Sequence, residues 1–478
     1  MAGLTSPLAR KVICFVWIIA ILLSEIGFFF SSTNTCTWPD PKSVSTATDA
    51  VQHVLIVADP QILDEDSYPG RNKWLMALSV FVVDMNLRKS WRVVKHKQPD
   101  AIVFLGDMMD NGRANTSSQQ CVYSFSHSVT ASLMLACLLP RHQAYLERFR
   151  HIFSAPRSLP VYYTPGNHDV GLGHMPDASS LARLRYKTAF GPLNQHIFLA
   201  NHSIALIDAP ALVDDDRLRA SSRQSDALPR ELQEIQFIRS LNNAGDKPLI
   251  LFSHIPLTRP YNADCGPLRE KGHVDAGSGY GYENTLSPET SNMLLKTFRP
   301  SLIFSGDDHD YCEYRHELPT DRENPTNTAP RTVLEVTVKS FSMAMGIRRP
   351  GFHLLSLAAP EAPAGVETFA HRPCVLPDQI KIYLGVYVPL LVLTLIAVVY
   401  LGYMASDGVA PMREKRDGSI ERKEGSPRLP LPASASTSSS KWRSHGQPGI
   451  VRRVWGEFYR IAWPPLLLYG LIVLMLFW

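Results

Sequence analysis

Ala101 to Asp110 reads AIVFLGDMMD, five apolar residues running straight into a Gly-Asp-Met-Met-Asp loop. A continuous apolar run of that length suits a strand buried on both faces, and its abrupt polar end marks a loop at the strand's C-terminus. The same arrangement recurs along the chain. Val54 to Val57 leads into Asp59-Pro60-Gln61, and Val161 to Tyr163 leads towards Gly166-Asn167-His168-Asp169. Leu249 to Phe252 precedes Ser253-His254, and Leu302 to Phe304 precedes Gly306-Asp307-Asp308-His309. Ile204 to Ile207 and Thr332 to Val338 are further runs of this kind. Helical stretches, Trp74 to Val94, Arg141 to Phe153, Leu181 to Phe190 and Glu231 to Leu241, fall between them. Alternating strands and helices without an internal repeat predict one large α/β sandwich. In such sheets ligands gather where strands end in loops, which is where the Asp, Asn and His residues lie.

The flanks of this block are of a different character. Val12 to Phe30 is apolar apart from Glu25 and follows Arg10-Lys11, as in a transmembrane signal anchor (residues 12–30) with residues 1–11 in the cytosol. A cleaved signal peptide ending near Ser31-Ser32 is the competing reading. Residues 382–404 carry no formal charge and read as a transmembrane helix. Residues 461–478 read as a third transmembrane helix, shorter and containing Pro464-Pro465, with a re-entrant segment as the alternative. Between them, residues 405–460 hold eleven Lys/Arg against six Asp/Glu and a Ser-rich tract, as expected of a basic cytosolic loop or a membrane-surface segment. Residues 31–381 then form a lumenal domain. Six of the seven cysteines and the sequons at Asn115 and Asn201 all fall within it, consistent with an oxidising compartment and glycosylation. With 48 Lys+Arg against 44 Asp+Glu and no basic tract interleaved with aromatics, the chain does not read as a nucleic-acid binder.

Taken singly, an Asp after a strand is usually a turn or cap residue, and a lone His a hydrogen-bonded structural one. Five such loops together have the composition of a dimetal site, which needs carboxylates and imidazoles converging from several strand ends. The ordered set resembles the calcineurin-like metallophosphoesterase superfamily, whose pattern is D-x-H, G-D-x-x-[DN], G-N-H-[DE], a later H, and G-H-x-H. Over residues 50–404, and most closely in Phe304 to Glu313, it resembles the membrane-bound branch that trims ethanolamine phosphate from glycosylphosphatidylinositol (GPI) anchors. Fungal members of that branch are linked to cell division and export from the endoplasmic reticulum (ER).

The resemblance implies a metallophosphoesterase-type β-sandwich flanked by helices, with two divalent metals. Asp107 would bridge them, with Asp59 and His309 on one ion and Asn167 and His254 on the other. The family's first His is Gln61 here and its G-H-x-H opens with Asp307, so two imidazoles become oxygen donors. If both coordinate, the site favours Mn²⁺ or Mg²⁺ over Zn²⁺, and the resemblance also points to manganese. His168 would act as the non-ligand acid that supports the transition state. Asp110 would orient the Asp107 loop, and Asp169 would orient His168.

The segment from Arg259 to Asn284 is a long loop in which Tyr280 and Tyr282 could stack on a sugar face and Glu283 or Asp275 could receive an ethanolamine ammonium, or else an ordinary Gly-rich surface. A Cys265–Cys312 disulfide would hold this loop near the metals. The implied activity is a phosphodiesterase in the ER membrane, its catalytic domain lumenal, in which metal-activated hydroxide attacks phosphorus. Its partners would be lipid-linked or protein-linked GPI glycan, the membrane, and export receptors for GPI-anchored cargo. Hydrolysis of another lumenal phosphodiester, and a catalytically impaired cargo-binding scaffold, are the alternatives.

Overall fold

Thirteen strands assemble from the described residues, and the apolar runs supply the inner ones. They are β1 (Val51–Val57), β2 (Ala101–Leu105), β3 (Val161–Thr164), β4 (Gln195–Leu199), β5 (His202–Ile207), β6 (Leu249–Ser253), β7 (Ser278–Gly279), β8 (Tyr282–Glu283), β9 (Leu302–Ser305), β10 (Cys312–Glu317), β11 (Thr332–Thr337), β12 (Gly351–Ala358) and β13 (Phe369–Val375). The protein's computed structural model describes residues 6–41, 51–113, 131–172, 176–200, 202–222, 237–238, 247–279, 281–318, 331–358, 367–407 and 450–477. The expected helix Glu231–Leu241 lies outside the described residues except for positions 237–238.

One sheet has the order β13-β12-β1-β2-β3 and the other β10-β11-β9-β6-β5-β4; β7 and β8 form a separate two-stranded ribbon. Parallel pairing joins β1, β2 and β3 in the first sheet and β11, β9, β6 and β5 in the second, while the outer strands are antiparallel.

Alternation along each strand builds three apolar layers. Val54, Ile56, Val103 and Leu105 from one sheet meet Ile204, Leu206, Ile250, Phe252 and Phe304 from the other. The neighbouring residues Leu55, Val57, Ile102 and Phe104 face outward onto Leu87, Trp91, Phe149 and Tyr186. These come from helices Lys73–Val94, Ala131–Ile152 and Pro176–Phe190. On the far side Ala205, Leu251 and Ile303 pack with Leu212, Leu294 and Phe298 from helices Ala209–Ser222 and Pro288–Phe298. The runs are continuous because both faces are covered, and the result is the expected sandwich flanked by helices.

The chain divides into two bodies. The sandwich belongs to the body spanning Leu23–Ile382, whose two ends are joined by a Cys36–Cys374 disulfide. In the other body, Trp17 Nε1 donates to Thr394 Oγ1 at 2.9 Å and Arg10 pairs with Glu457 at 3.3 Å. Among the described residues three helices are long and apolar enough to cross a membrane: Pro7–Asn34, Gln379–Leu401 and Val454–Phe477. At about 1.5 Å per residue even the shortest exceeds a hydrocarbon core of about 30 Å. The third is longer than its apolar stretch suggested. It begins at Ile450, inside the segment read as loop, and carries Pro464 and Pro465 within it.

Candidate dinuclear metal site

Five loops converge at the C-terminal ends of parallel strands. Asp59 follows β1, Asp107 follows β2 and Asn167 follows β3; His254 follows β6, and Asp307 and His309 follow β9. Donor atoms of Asp59, Asp107 and His309 lie within 4.8 Å of one another, and so do those of Asp107, His254 and Asp307. Asp107 is common to both groups, the position of a bridging carboxylate. Asp307 stands with Asp107 and His254, at 3.5 Å from His254 Nε2, so replacing an imidazole by a carboxylate leaves a donor in place.

Each donor is oriented by its own second hydrogen bond. His254 Nδ1 donates to the Leu105 carbonyl at 2.8 Å, which turns Nε2 towards Asp107 Oδ1 at 3.3 Å and Asn167 Oδ1 at 3.2 Å. A backbone carbonyl on one imidazole nitrogen is the usual device for presenting the other to a metal. Asn167 Nδ2 donates to the Gly281 carbonyl at 3.0 Å, so its oxygen points inward. Gln61 Nε2 donates to Asp107 Oδ2 at 2.9 Å. Gln61 Oε1 and Asp59 Oδ2 are buried with no hydrogen-bond partner. Orphaned buried oxygens are costly unless something positive meets them.

The backbone is strained at these same positions. Asp59, Gln61, Asp107, Asp307 and His309 have φ between 31° and 67°, five of the eight non-glycine residues with positive φ among those described. Such conformations cost about 1–3 kcal/mol each and persist where surrounding structure enforces them. Packing leaves no slack. A Cβ on Gly106 would lie 2.1 Å from His254 Nδ1, and one on Gly166 would lie 2.0 Å from Asp107 Oδ1.

Electrostatics agree with a site suited to positive charge. Burial pushes the Asp59 carboxyl well above its usual range, and the neighbouring Asp107 and Asp307 charges add to the shift. Burial alone would depress His254, but Asp107, Asp307 and Asp59 together hold it well above the ordinary imidazole value. His309 is pushed down to about 4 by burial, which keeps it neutral and able to donate a lone pair. The donor set therefore suits two divalent cations.

The supporting carboxylates exchange the parts expected of them. Asp169 does not orient His168. It accepts from the backbone N–H groups of Met108 and Met109 on one oxygen and of Gly166 on the other, so it ties the Asp107 loop to the Asn167 loop. Asp110 instead serves His168: its carbonyl accepts from His168 Nδ1, and its carboxylate lies 3.7 Å from the same nitrogen. His168 is half-buried, and this bond leaves its Nε2 available for proton exchange.

The loop after His254 is drawn to the site through Gly281, whose carbonyl accepts from Asn167 and from Arg113 Nη1 at 2.8 Å. Arg113 was not singled out from the sequence. Glu283 pairs through Oε2 with Arg217 at 2.9 Å. Asp275 is likewise paired, with His273 at 3.0 Å. Tyr282 is exposed, while Tyr280, Asn115 and Asn201 lie outside the described residues. Beside Glu283 opens a cavity of about 320 Å³ lined by Asp216, Arg217, Arg219, Ser287 and Glu289. The expected Cys265–Cys312 disulfide is present. Arg269 reinforces it by gripping both oxygens of Asp308, between Asp307 and His309, at 2.6 and 3.1 Å. This clamp too was missed, since an Arg in a loop carries no sequence signal of its partner.

Comparison with known proteins adds the family. A model described as calcineurin-like phosphoesterase matches residues 53–311. "Cell division control protein 1" of Saccharomyces cerevisiae is 31% identical over 451 residues, covering 90% of this chain and 83% of that protein. "Metallophosphoesterase 1" of Ailuropoda melanoleuca is 26% identical, covering 75% of this chain and 81% of that protein. A "Metallophosphoesterase 1 homolog" of Drosophila melanogaster is 24% identical, covering 72% and 82%.

Proposed function

The chain belongs to the calcineurin-like phosphoesterase family, and from that premise we propose that it removes ethanolamine phosphate from a mannose of the GPI glycan, in the ER lumen. The hydrolase part of this reading is carried by one observation, the carboxylate of Asp107 shared between two groups of metal donors. Asp59, Asp107 and His309, with Gln61 beside them, would hold one ion; Asp107, Asn167, His254 and Asp307 would hold the other. When bound, two such ions neutralise a phosphodiester's charge and lower the pKa of water enough to supply a nucleophile at neutral pH.

The chain's own residues do the rest. Attack places the water oxygen on phosphorus and breaks the bond to the mannose oxygen, releasing ethanolamine phosphate. The departing alkoxide needs a proton, and His168 Nε2 supplies it while the Asp110 carbonyl holds the ring by Nδ1. Asp169 and Arg113 act at a distance from phosphorus, fixing the loops that carry Asp107 and Asn167. The mixed-charge cavity beside Glu283 is suited to sugar hydroxyls, with Arg217 as donor and Asp216 and Glu289 as acceptors.

The GPI assignment is supported by the resemblance in Phe304 to Glu313 and by apolar helices on both sides of the domain. Confining enzyme and lipid-linked glycan to one surface raises their effective concentration. The test is mass spectrometry of GPI glycans from cells carrying the native chain or an Asp107→Asn copy. Extra ethanolamine phosphate on the variant's glycans is expected; an unchanged glycan would reject this substrate and leave another lumenal phosphodiester.

A further inference from the structure

Helix Lys73–Val94 has two apolar faces, and the sandwich uses only one. Met76, Val83, Leu87, Trp91 and Val94 recur at helical spacing and belong to the core. On the opposite side Trp74, Leu75, Leu78 and Phe81 are 85%, 51%, 55% and 40% exposed. Four large apolar side chains within two turns form a contiguous patch, not scattered surface residues.

Further along, the same side of the helix is occupied. Steps of three and four residues carry the stripe from Trp74 through Leu78, Phe81 and Met85 to Lys89. Lys89 Nζ donates to Glu25 Oε2 and to Gln379 Oε1, both at 2.6 Å, and lies 4.7 Å from the Phe29 ring centroid. Glu25 and Phe29 belong to the first apolar helix, Pro7–Asn34, and Gln379 opens the second, Gln379–Leu401. One helical face is thus covered by residues of the apolar helices over its C-terminal half, up to Phe81, whose ring stacks on Phe477 at 6.2 Å, and among the described residues it is open and apolar from Phe81 back to Trp74. The segment leading into the open half bonds to the Asp107 loop: Ile62 N donates to the Met108 carbonyl, and Asn111 Nδ2 to Asp64.

We propose that Trp74, Leu75, Leu78 and Phe81 insert into the lipid bilayer at its interface, so that the catalytic body rests on the membrane. Continuity with the face that already holds the membrane helices selects lipid as the occupant. The stripe runs from the buried contacts of Phe29 and Gln379, residues of two apolar helices, onto open surface, and Trp with aliphatic neighbours suits the headgroup–acyl boundary. The proposal does not depend on which phosphodiester the enzyme cleaves.

The decisive experiment reconstitutes the full chain into phosphatidylcholine vesicles containing a trace of phosphatidylcholine with a diazirine in its acyl chain. After illumination, labelled peptides are located by mass spectrometry. Label on Trp74–Phe81 at least tenfold above that on Leu184 and Leu218, which are 60% and 57% exposed elsewhere on the domain, is expected. Label no higher than at those two positions would overturn the proposal, as when a second copy of the chain covers the stripe. A Trp74→Ser/Leu78→Ser/Phe81→Ser variant provides a second readout. Its kcat/KM should fall about tenfold on hexadecyl 4-nitrophenyl phosphate carried in vesicles and stay unchanged on soluble bis(4-nitrophenyl) phosphate. Native kcat/KM on the vesicle substrate would also count against insertion. Should the variant lose both activities through misfolding, labelling of the unaltered chain decides.

Discussion

Asp107 concentrates the chemistry of the site in one side chain, since each of two donor groups is incomplete without it. Asp107→Asn keeps the shape but removes the charge that two cations would share. Metal content measured by elemental analysis should drop below one ion per chain, with activity lost in parallel. His168→Asn should behave differently, retaining full metal content while kcat falls ~10²–10⁴-fold, the usual contribution of a positioned acid. A His168→Asn protein with native kcat would remove the residue from proton transfer. Chelated protein should regain more activity with Mn²⁺ than with Zn²⁺, because Asp59, Gln61, Asp107, Asn167 and Asp307 outnumber the two imidazoles with hard oxygen donors. These residues were legible in the sequence as candidates, because each lies in a loop that follows a buried run. Their supporting hydrogen bonds were not: whether Asp110 or Asp169 serves His168 depends on backbone atoms of a second loop.

At the scale of single elements, close approach sets the tolerance. Gly166→Ala would drive a methyl to 2.0 Å from Asp107 Oδ1 and 2.4 Å from its backbone nitrogen. The variant should keep a native far-ultraviolet circular dichroism spectrum yet bind metal at least tenfold more weakly. Behind the site, Glu335 on β11 is buried against Arg259 at 2.9 Å and His316 at 2.6 Å, and it accepts from the Leu257 backbone. Burial would raise this carboxyl, but Arg259 and His316 outweigh it and hold it down to about 2 against an ordinary 4.5. Such a depressed acid stabilises the folded state above the unfolded value and loses that contribution as pH falls through the folded one. About 3 kcal/mol should therefore disappear between pH 4.5 and 2. Thermal unfolding of Glu335→Gln should be lower at neutral pH and less sensitive to acid over that window.

The inner parallel strands were readable because burial on both faces writes an unbroken apolar run. β10 and β13 were not, since edge strands such as CEYRHE and FAHRPCV alternate with charge or carry proline. Helix Pro288–Phe298 was overlooked although Ser287 caps it and Pro288 begins it, a signal present in the sequence.

At the scale of the whole molecule, two disulfides and three apolar helices among the described residues set the frame. The Cys265–Cys312 pair secures the loop reaching Gly281, and the Cys36–Cys374 pair joins the first described residues of the catalytic body to its last strand. Cys374→Ser should cost about 2–5 kcal/mol, read as a lower unfolding temperature of the full chain in detergent. An unchanged midpoint would mean that the body's other contacts suffice. The sequence pointed to an oxidised domain between apolar helices, but with six cysteines in that domain it left fifteen pairings open.

The separation of 338 residues between Cys36 and Cys374 has a consequence for biosynthesis. Ribosomes add ~5–20 residues per second, so the earlier thiol waits on the order of 17–70 s before its partner exists. Cys121, Cys137, Cys265 and Cys312 all emerge during that interval. A nascent chain of this protein is therefore exposed to thiol mispairing until Cys374 has been made.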